Sequence, residues 1–229
     1  RSELRGGGVI SLLVLTDGRD DVLARTLPVA AEHVPYERLI IHDDTGSLEH
    51  RQMLANTYRH FDAQVIGGAQ RRGFGGAIRA AWQHLERTPN PFVVHLEDDF
   101  VLSRHLDWSD LADTLVRQPH LVQLALRRQP WNEEERAAGG IVEQHPTDYT
   151  DCSDVGGAWL EHTRFFTTNP SIYRRSLCTE GWPEGDNSEG RFGLELLRRH
   201  PSWRFAFWGA RNSGEWCEHI GLERVGTGY

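Results

Sequence analysis

Residues 91–102, PFVVHLEDDFVL, decide the fold. The apolar run Phe92-Val93-Val94 reads as a buried strand, and it stops at three consecutive acids, Glu97, Asp98 and Asp99. In open α/β sheets, ligands collect outside the carboxyl ends of the strands. Hard divalent cations that hold phosphates take one or two carboxylates and keep their other positions for water and phosphate oxygens. A Glu-Asp-Asp cluster at a strand terminus supplies such a site. The same residues also fit a solvated turn, with Asp99 or Ser103 capping the next helix.

Three earlier segments repeat the pattern. Residues 9–16, VISLLVLT, form a near-continuous apolar run, as expected of a strand buried on both faces in a parallel sheet. The run ends in Asp17-Gly18-Arg19, after which Asp20 or Asp21 is expected to cap a helix that Pro28 kinks or restarts. Residues 38–42, RLIIH, are a second strand ending at Asp43-Asp44-Thr45-Gly46-Ser47, with a helix over about 48–59. Residues 63–66 are a third strand, leading to Arg71-Arg72-Gly73-Phe74-Gly75-Gly76. From Ala77 onward, Ala77, Ile78, Ala81, Trp82 and Leu85 recur at helical spacing. Strands alternating with helices imply right-handed crossovers, which set Asp17, Asp43/Asp44 and Glu97/Asp98/Asp99 along one sheet edge.

The second half differs in texture. Residues 107–118 predict a helix and 121–126 a strand. Residues 131–152 are polar and rich in Glu and Gly, and so are expected as a mobile loop or lid. Residues 159–173 return to aromatic strand composition. A turn at 185–188 precedes a helix marked by Phe192, Leu196 and Leu197, and residues 203–208, WRFAFW, form a last strand.

At 229 residues, 38% hydrophobic and 25% charged, the chain has the size and composition of an ordinary globular protein. It is expected to form one domain over 1–229, with a 9–102 half and a 103–229 half. No apolar run reaches membrane-span length, and RSELRGGG has no signal-peptide core, so a cytoplasmic location is expected. Cys152, Cys178 and Cys217 form no CxxC pair, which suggests a reducing compartment. The net charge of −8 argues against an extended phosphate-tracking surface. All 25 basic residues are arginine. Schiff-base, P-loop and kinase-type lysine chemistry is therefore excluded, and phosphate contacts must come from Arg, backbone N–H groups or metal.

The motifs LTDGR, IIHDDTGS, RRGFGGAIRAAW, HLEDDFVL, TTNPSIYRRSL and NSEGRFGLELLRR, in this order, resemble those of nucleotide-sugar-dependent glycosyltransferases of the GT-A fold, with family 2 nearest in layout. The resemblance implies a Rossmann-like three-layer α/β sandwich with a mostly parallel central sheet. It implies that Thr16, Asp17 and Arg19 line a base and ribose pocket together with Asp43 or Asp44, and that Arg71, Gly73 and the helix start beyond them lie against the donor. The acids resemble a DXD-type motif, with Asp99 ligating Mn2+ or Mg2+ and Glu97 and Asp98 on the ribose or acting through water. The spacing is not a plain D-X-D, so the ligating acid is not fixed by it. In residues 216–221, WCEHIG, His219 resembles the C-terminal metal ligand of many GT-A enzymes, and imidazole suits Mn2+ better than Mg2+. Glu189 falls where inverting members carry the base that deprotonates the acceptor hydroxyl, with Glu195 in reserve. Asp186-x-x-Glu189 reads equally as a capping box. Trp159, Asn169, Phe165, Phe166 and Trp182 are candidates for an acceptor platform.

The expected activity is transfer of a sugar from a nucleoside diphosphate donor, UDP by default, to a hydroxyl acceptor with inversion. The alternatives are a nucleotidyltransferase that makes an activated sugar, disfavoured by the short Asp17-Gly18-Arg19 turn, and a catalytically inactive nucleotide- or carbohydrate-binding module. The acceptor class stays open among glycan, small molecule, protein side chain and modified base in phage DNA. DNA would need local patches such as Arg127-Arg128, Arg174-Arg175 and Arg198-Arg199.

Overall fold

A computed structural model describes residues 10–221. Val9, the expected first residue of the opening strand, lies outside them. The first half runs β1 (Ile10–Thr16), α1 (Asp20–His33), β2 (Arg38–Asp43), α2 (Leu48–Thr57), β3 (Ala63–Ile66), α3 (Gly73–Leu85) and β4 (Phe92–Glu97). The second half runs β5 (Phe100–Leu102), α4 (Trp108–Arg117), β6 (Leu121–Ala125), α5 (Glu133–Ala138), α6 (Ile141–Gln144), β7 (Thr150–Asp154), β8 (Gly157–His162), β9 (Ser171–Arg174), α7 (Ser188–Arg199), β10 (Arg204–Trp208) and β11 (Cys217–His219).

Nine strands form one sheet in the order β3-β2-β1-β4-β9-β6-β10-β8-β7, with contributions from both halves of the chain. β1, β2, β3 and β4 are mutually parallel. β9 runs antiparallel between β4 and β6, and β8 antiparallel between β10 and β7. The other seven strands therefore share one direction, which is the mostly parallel sheet expected. β11 and β5 form a separate two-stranded ribbon.

Every residue of β1 is buried, because both faces of the sheet are covered. Leu12 and Val14 enter a core with Leu23 and Leu27 of α1 and Leu111 and Leu115 of α4. Leu13 and Leu15 point the other way, into a core with Ile78 and Trp82 of α3 and Phe192 and Leu196 of α7. Alternate side chains on opposite faces thus join three layers. Each fully buried Leu or Phe contributes about 1.5–3 kcal/mol relative to exposure.

Several boundaries differ from the sequence reading. Arg19, not an aspartate, borders α1 and makes no side-chain cap. Asp20 and Asp21 instead stand in its first turn, where they favour the helix dipole, and Pro28 stays inside the helix. Asp107 caps α4 by accepting from Ser109 N at 2.9 Å, so neither Asp99 nor Ser103 is a helix cap. α3 begins at Gly73, four residues before Ala77. Residues 131–152 are not a loop: they hold α5, α6, a 3-10 turn and the start of β7. α5 forms because Asn132 accepts from Glu135 N and Gly139 ends it in the left-handed region. Residues 159–173 divide into the end of β8, an irregular connection and β9.

Candidate active site

The carboxyl ends of β2, β1 and β4 are neighbours. Asp44 N donates to Thr16 O and Asp98 N to Leu15 O, both at 2.9 Å, which ties the three strand ends together. Thr16, Asp17, Arg19, Asp44, Glu97 and Asp98 surround a narrow pocket with Leu15, Phe74 and Ala77. Arg19 is its hub. The guanidinium donates to Asp17 Oδ1 at 3.2 Å, to Asp99 Oδ2 at 2.5 Å and to Asp98 Oδ1. Thr16 Oγ1 donates to the other Asp98 oxygen at 2.7 Å. Burial alone would lower the Arg19 pKa, but Asp98, Asp99 and Asp17 raise it above its ordinary value. Burial pushes Asp98 up to about 7 against Arg19 and Thr16. A guanidinium is charged at every relevant pH, so the Arg19–Asp98 contact is a charge-assisted hydrogen bond.

Asp44 and Asp43 part company. The Asp44 carboxylate faces the pocket and accepts from Arg72 N at 2.9 Å and Gly73 N at 2.8 Å. The N–H groups of Arg72 and Gly73, at the start of α3, are thereby taken. Asp43 is fully buried outside the pocket, accepting from Thr45 N and Thr45 Oγ1 at 3.0 and 2.8 Å. Arg71 donates to Asp17 Oδ2 at 2.7 Å and lines the adjoining cleft with Gly73.

That cleft, about 1260 Å³, is also lined by Glu97, Asp99, Trp131, Phe165, Thr168, Asn169, Glu189 and His219. β11 places His219 opposite Phe100, so the imidazole reaches the neighbouring acid: His219 Nε2 is 3.0 Å from Asp99 Oδ2. Burial would raise the Asp99 pKa, but His219 and Arg19 bring it below the usual carboxylate value. Asp99 Oδ1 is buried without a partner among the described residues. Gly221 closes over it, and a Cβ there would sit 2.2 Å from Asp99 Oδ2. An orphaned carboxylate oxygen beside an imidazole fits a divalent cation. Among the described residues no group of three or more His, Cys, Asp or Glu forms a ready-made cage, so such an ion would draw its other ligands from phosphate and water.

Glu189 stands in the first turn of α7, where it is half-buried and opens onto the cleft. Its Oε1 accepts from Thr168 N at 2.6 Å and from Thr168 Oγ1 at 3.0 Å. The helix boundary is Asn187, in the left-handed region with no side-chain cap, so Asp186 and Glu189 do not form a capping box. Burial raises the Glu189 pKa against Thr168 and Thr167. Burial, then the charges of Asp99 and Glu189, push Glu97 up to about 8.

The remaining expectations separate. Asn169 lines the cleft, as does Phe165. Trp159 does not: it is buried in the core facing α1 and α4, with Nε1 donating to Glu161 at 2.9 Å. Trp182 packs in the opposite core. Glu195 is exposed and lines neither cavity. Apart from the exposed Arg198, the arginines of the three pairs are engaged internally. Arg127 donates to Ala210 O, Arg211 O and Ser213 Oγ, Arg128 to Glu135, Arg174 to Leu115 O and Leu121 O, Arg175 to Asn90 O and Glu86 O, and Arg199 to Glu180. Two contributors were not anticipated from sequence. Thr168 was hidden in a strand-like stretch, whereas Trp131, a lone aromatic between Pro130 and a Glu-rich run, was a detectable signal.

Solved structures share the architecture. The mannosyltransferase PcManGT from Pyrobaculum calidifontis, in complex with GDP-Man and Mn2+, matches with a TM-score of 0.61 at 14% identity, over 94% of this chain and 57% of its own. S. aureus TarS with UDP-GlcNAc matches at 0.63 and 15% identity, over 96% and 60%. GalNAc-T7 with UDP, GalNAc and Mn2+ matches at 0.65 and 10%, over 93% and 43%. The chain thus spans about 60% or less of the structures it matches. No family model matches the chain, and no curated protein matches its sequence. The shared architecture is the GT-A fold of glycosyltransferases.

Proposed function

We propose that this chain is a glycosyltransferase that moves a sugar from a nucleoside diphosphate donor, UDP by default, to a hydroxyl acceptor with inversion and with the aid of a divalent cation. The observation that carries the reading is Asp99. Its Oδ1 is buried and unpartnered among the described residues, beside His219, where the narrow acidic pocket meets a cleft that also holds Glu189. The GT-A structures named above were solved with GDP-Man, UDP-GlcNAc or UDP, two of them with Mn2+, and the same ligand classes fit these residues.

On this reading Thr16, Asp17, Arg19, Asp44, Arg71 and Gly73 hold the nucleoside. Ring N–H and ribose hydroxyl groups are donors, which carboxylates accept. Asp99 and His219 would hold Mn2+ or Mg2+, which supplies Lewis-acid stabilisation of the departing nucleoside diphosphate. Glu189 accepts the proton of the acceptor hydroxyl as its oxygen bonds to the anomeric carbon and the sugar–phosphate bond breaks. Glu97 and Asp98 complete the donor side, and Asn169 and Phe165 the acceptor side. The acceptor is a hydroxyl carried by a glycan, a small molecule, a protein side chain or a modified DNA base.

Thermal unfolding with each nucleoside diphosphate, with and without Mn2+ or Mg2+, tests the donor site. A ligand at a hundred times its Kd stabilises a fold by about 2.7 kcal/mol. Cation-dependent stabilisation by one nucleoside diphosphate, lost in Asp99→Asn, is the expected result. Absence of stabilisation by every nucleotide sinks the proposal, and preference for a nucleoside triphosphate with a sugar phosphate favours a nucleotidyltransferase.

A further inference from the structure

The His219 ring is held in an unusual way. An imidazole that ligates a metal almost always donates its second ring N–H to a carboxylate, carbonyl or water, and this fixes the ring plane. His219 Nδ1 is buried and has no partner among the described residues. The ring lies instead between two aromatic rings. Phe100 stacks on it at 4.5 Å between centroids and 24° between planes, and Trp131 at 4.6 Å and 29°. Two rings at such distances cannot share one face of an imidazole, so they cover both.

The outer ring of this sandwich is itself anchored. Arg128 Cζ lies 5.3 Å from the Trp131 centroid, and the guanidinium donates to Glu135 at 2.9 and 3.3 Å. Glu135 Oε2 also accepts from Trp131 N at 2.7 Å. One carboxylate, buried at the start of α5, therefore fixes both the Trp131 backbone and the cation against its ring. The His219 backbone is held separately. Gln129 Nε2 donates to His219 O, and His219 N donates to Gln129 Oε1, both at 2.8 Å. With the backbone fixed by Gln129 and β5, the remaining freedom is rotation of the ring, which the two aromatic faces block.

We propose that Trp131 is a positioning residue for the cation site: the Phe100–His219–Trp131 stack, tied down through Arg128 and Glu135, replaces the missing hydrogen bond and sets the imidazole plane that presents Nε2 beside Asp99. This inference rests on the proposed cation site of Asp99 and His219. It assigns the segment from Trp131 to Glu135 a part in cation affinity without making any of its side chains a ligand.

The test is Mn2+ affinity, measured by electron paramagnetic resonance or calorimetry in the presence of UDP or whichever nucleoside diphosphate stabilises the chain. Wild type is compared with Trp131→Phe, Trp131→Leu and Trp131→Ala, with cation-free thermal unfolding of each variant alongside. Loss of a group that orients a metal ligand costs about 10–100-fold in affinity. Trp131→Leu, which keeps an apolar side chain but no flat face, and Trp131→Ala are expected to weaken Mn2+ by about tenfold or more. Trp131→Phe is expected to retain the wild-type value. In an Asp99→Asn background the Trp131 substitutions should add nothing. Variants that unfold earlier yet bind Mn2+ as wild type does would overturn the positioning role, as would Trp131→Phe falling with Trp131→Leu. Failure of the wild type to bind Mn2+ with any nucleoside diphosphate would remove the cation site and this role with it.

Discussion

Asp17 and Asp98 each meet a guanidinium and Asp44 two backbone donors, whereas Glu97 and Glu189, on the adjoining cleft, are held mainly through Thr168. Asp17 has Arg19 and Arg71, Asp44 has two N–H groups of α3, and Asp98 has Arg19 and Thr16. Those partners keep the first set as acceptors of fixed geometry, suited to reading hydroxyl and ring N–H groups. Burial raises Glu97 and Glu189 as it raises Asp98 and Asp44, but among the described residues no cation is bonded to Glu189. A buried carboxylate with no cation bonded to it is the better placed to take a proton from a group in the cleft. On the proposed function, the difference suits the first set to substrate holding and Glu189 to proton handling.

The sharpest way to break this division is Glu189→Gln. The substitution keeps the Thr168 contacts and removes the proton acceptor, so transfer should fall by about 10²–10⁴-fold. Nucleoside diphosphate binding, read by thermal shift, should stay near wild type. Because the Glu189 pKa is raised, the wild-type rate should decline on acidification at a pH above that of an ordinary glutamate. A rate independent of pH in that range would count against Glu189. Glu195→Gln, on an exposed position, should change neither quantity.

Thr168→Val is a smaller perturbation of the same wall. It removes the hydroxyl donor to Glu189 Oε1 and keeps the backbone one. A hydrogen bond to a charged group is worth about 1.5–3 kcal/mol, or about tenfold or more in rate if it is made in the transition state. The acid limb of the pH–rate profile should move to higher pH, since the ionised form loses a donor. A rate loss without that movement would make Thr168 a packing residue only. On the opposite wall Arg71→Gln should weaken nucleoside diphosphate affinity and leave the cation-free unfolding temperature nearly unchanged. The reason is that Arg71 is 54% exposed, and exposed ion pairs contribute about 0–1 kcal/mol.

The two walls were also unequally legible in the sequence. Asp17, Asp44 and Asp98 could be found because each follows its own apolar strand within a residue or two. Parallel strands bring such ends together without further information. Which of Asp43 and Asp44 faces the pocket was not readable, since the β2 terminus alone does not say where its alternation ends. The far wall depends on contacts distant in sequence. Thr168 meets Glu189, and His219 reaches Asp99 only through the β11–β5 ribbon, which no hydrophobic period announced. Glu195 was misplaced because six residues are about 1.7 helical turns, which turns it away from the face of Glu189. Trp159 was misplaced because aromatic composition cannot tell a core ring from a platform; its ring packs inward on β8. The stretch 131–152 looked loop-like because α5 and α6 are too short to show a period, while their stabilising contacts, such as Arg128 with Glu135, are local side-chain bonds.

The smallest effect belongs to the firmly held wall, at Asp43. His50 Nε2 lies 2.9 Å from Asp20 Oδ1, and His50 Nδ1 lies 3.1 Å from Asp43 Oδ1, so the imidazole bridges the first turn of α1 to the end of β2. Burial would lower its pKa, but Asp20 and Asp43 raise it above 6.5. A histidine whose folded pKa exceeds its unfolded one binds more protons when folded. Its contribution is therefore complete below the unfolded pKa of about 6.5 and is lost as pH rises through the folded value. His50→Leu should accordingly destabilise the chain most at pH 5.5–6, by a few tenths to about 1 kcal/mol. The gap from wild type should close as the pH passes neutrality. Urea unfolding of both proteins across that range measures it. A gap that widens with pH would show His50 acting as a neutral hydrogen-bonding group. Asp43 would then lack a cationic partner and would belong with the lightly held glutamates rather than with its neighbours at the strand ends.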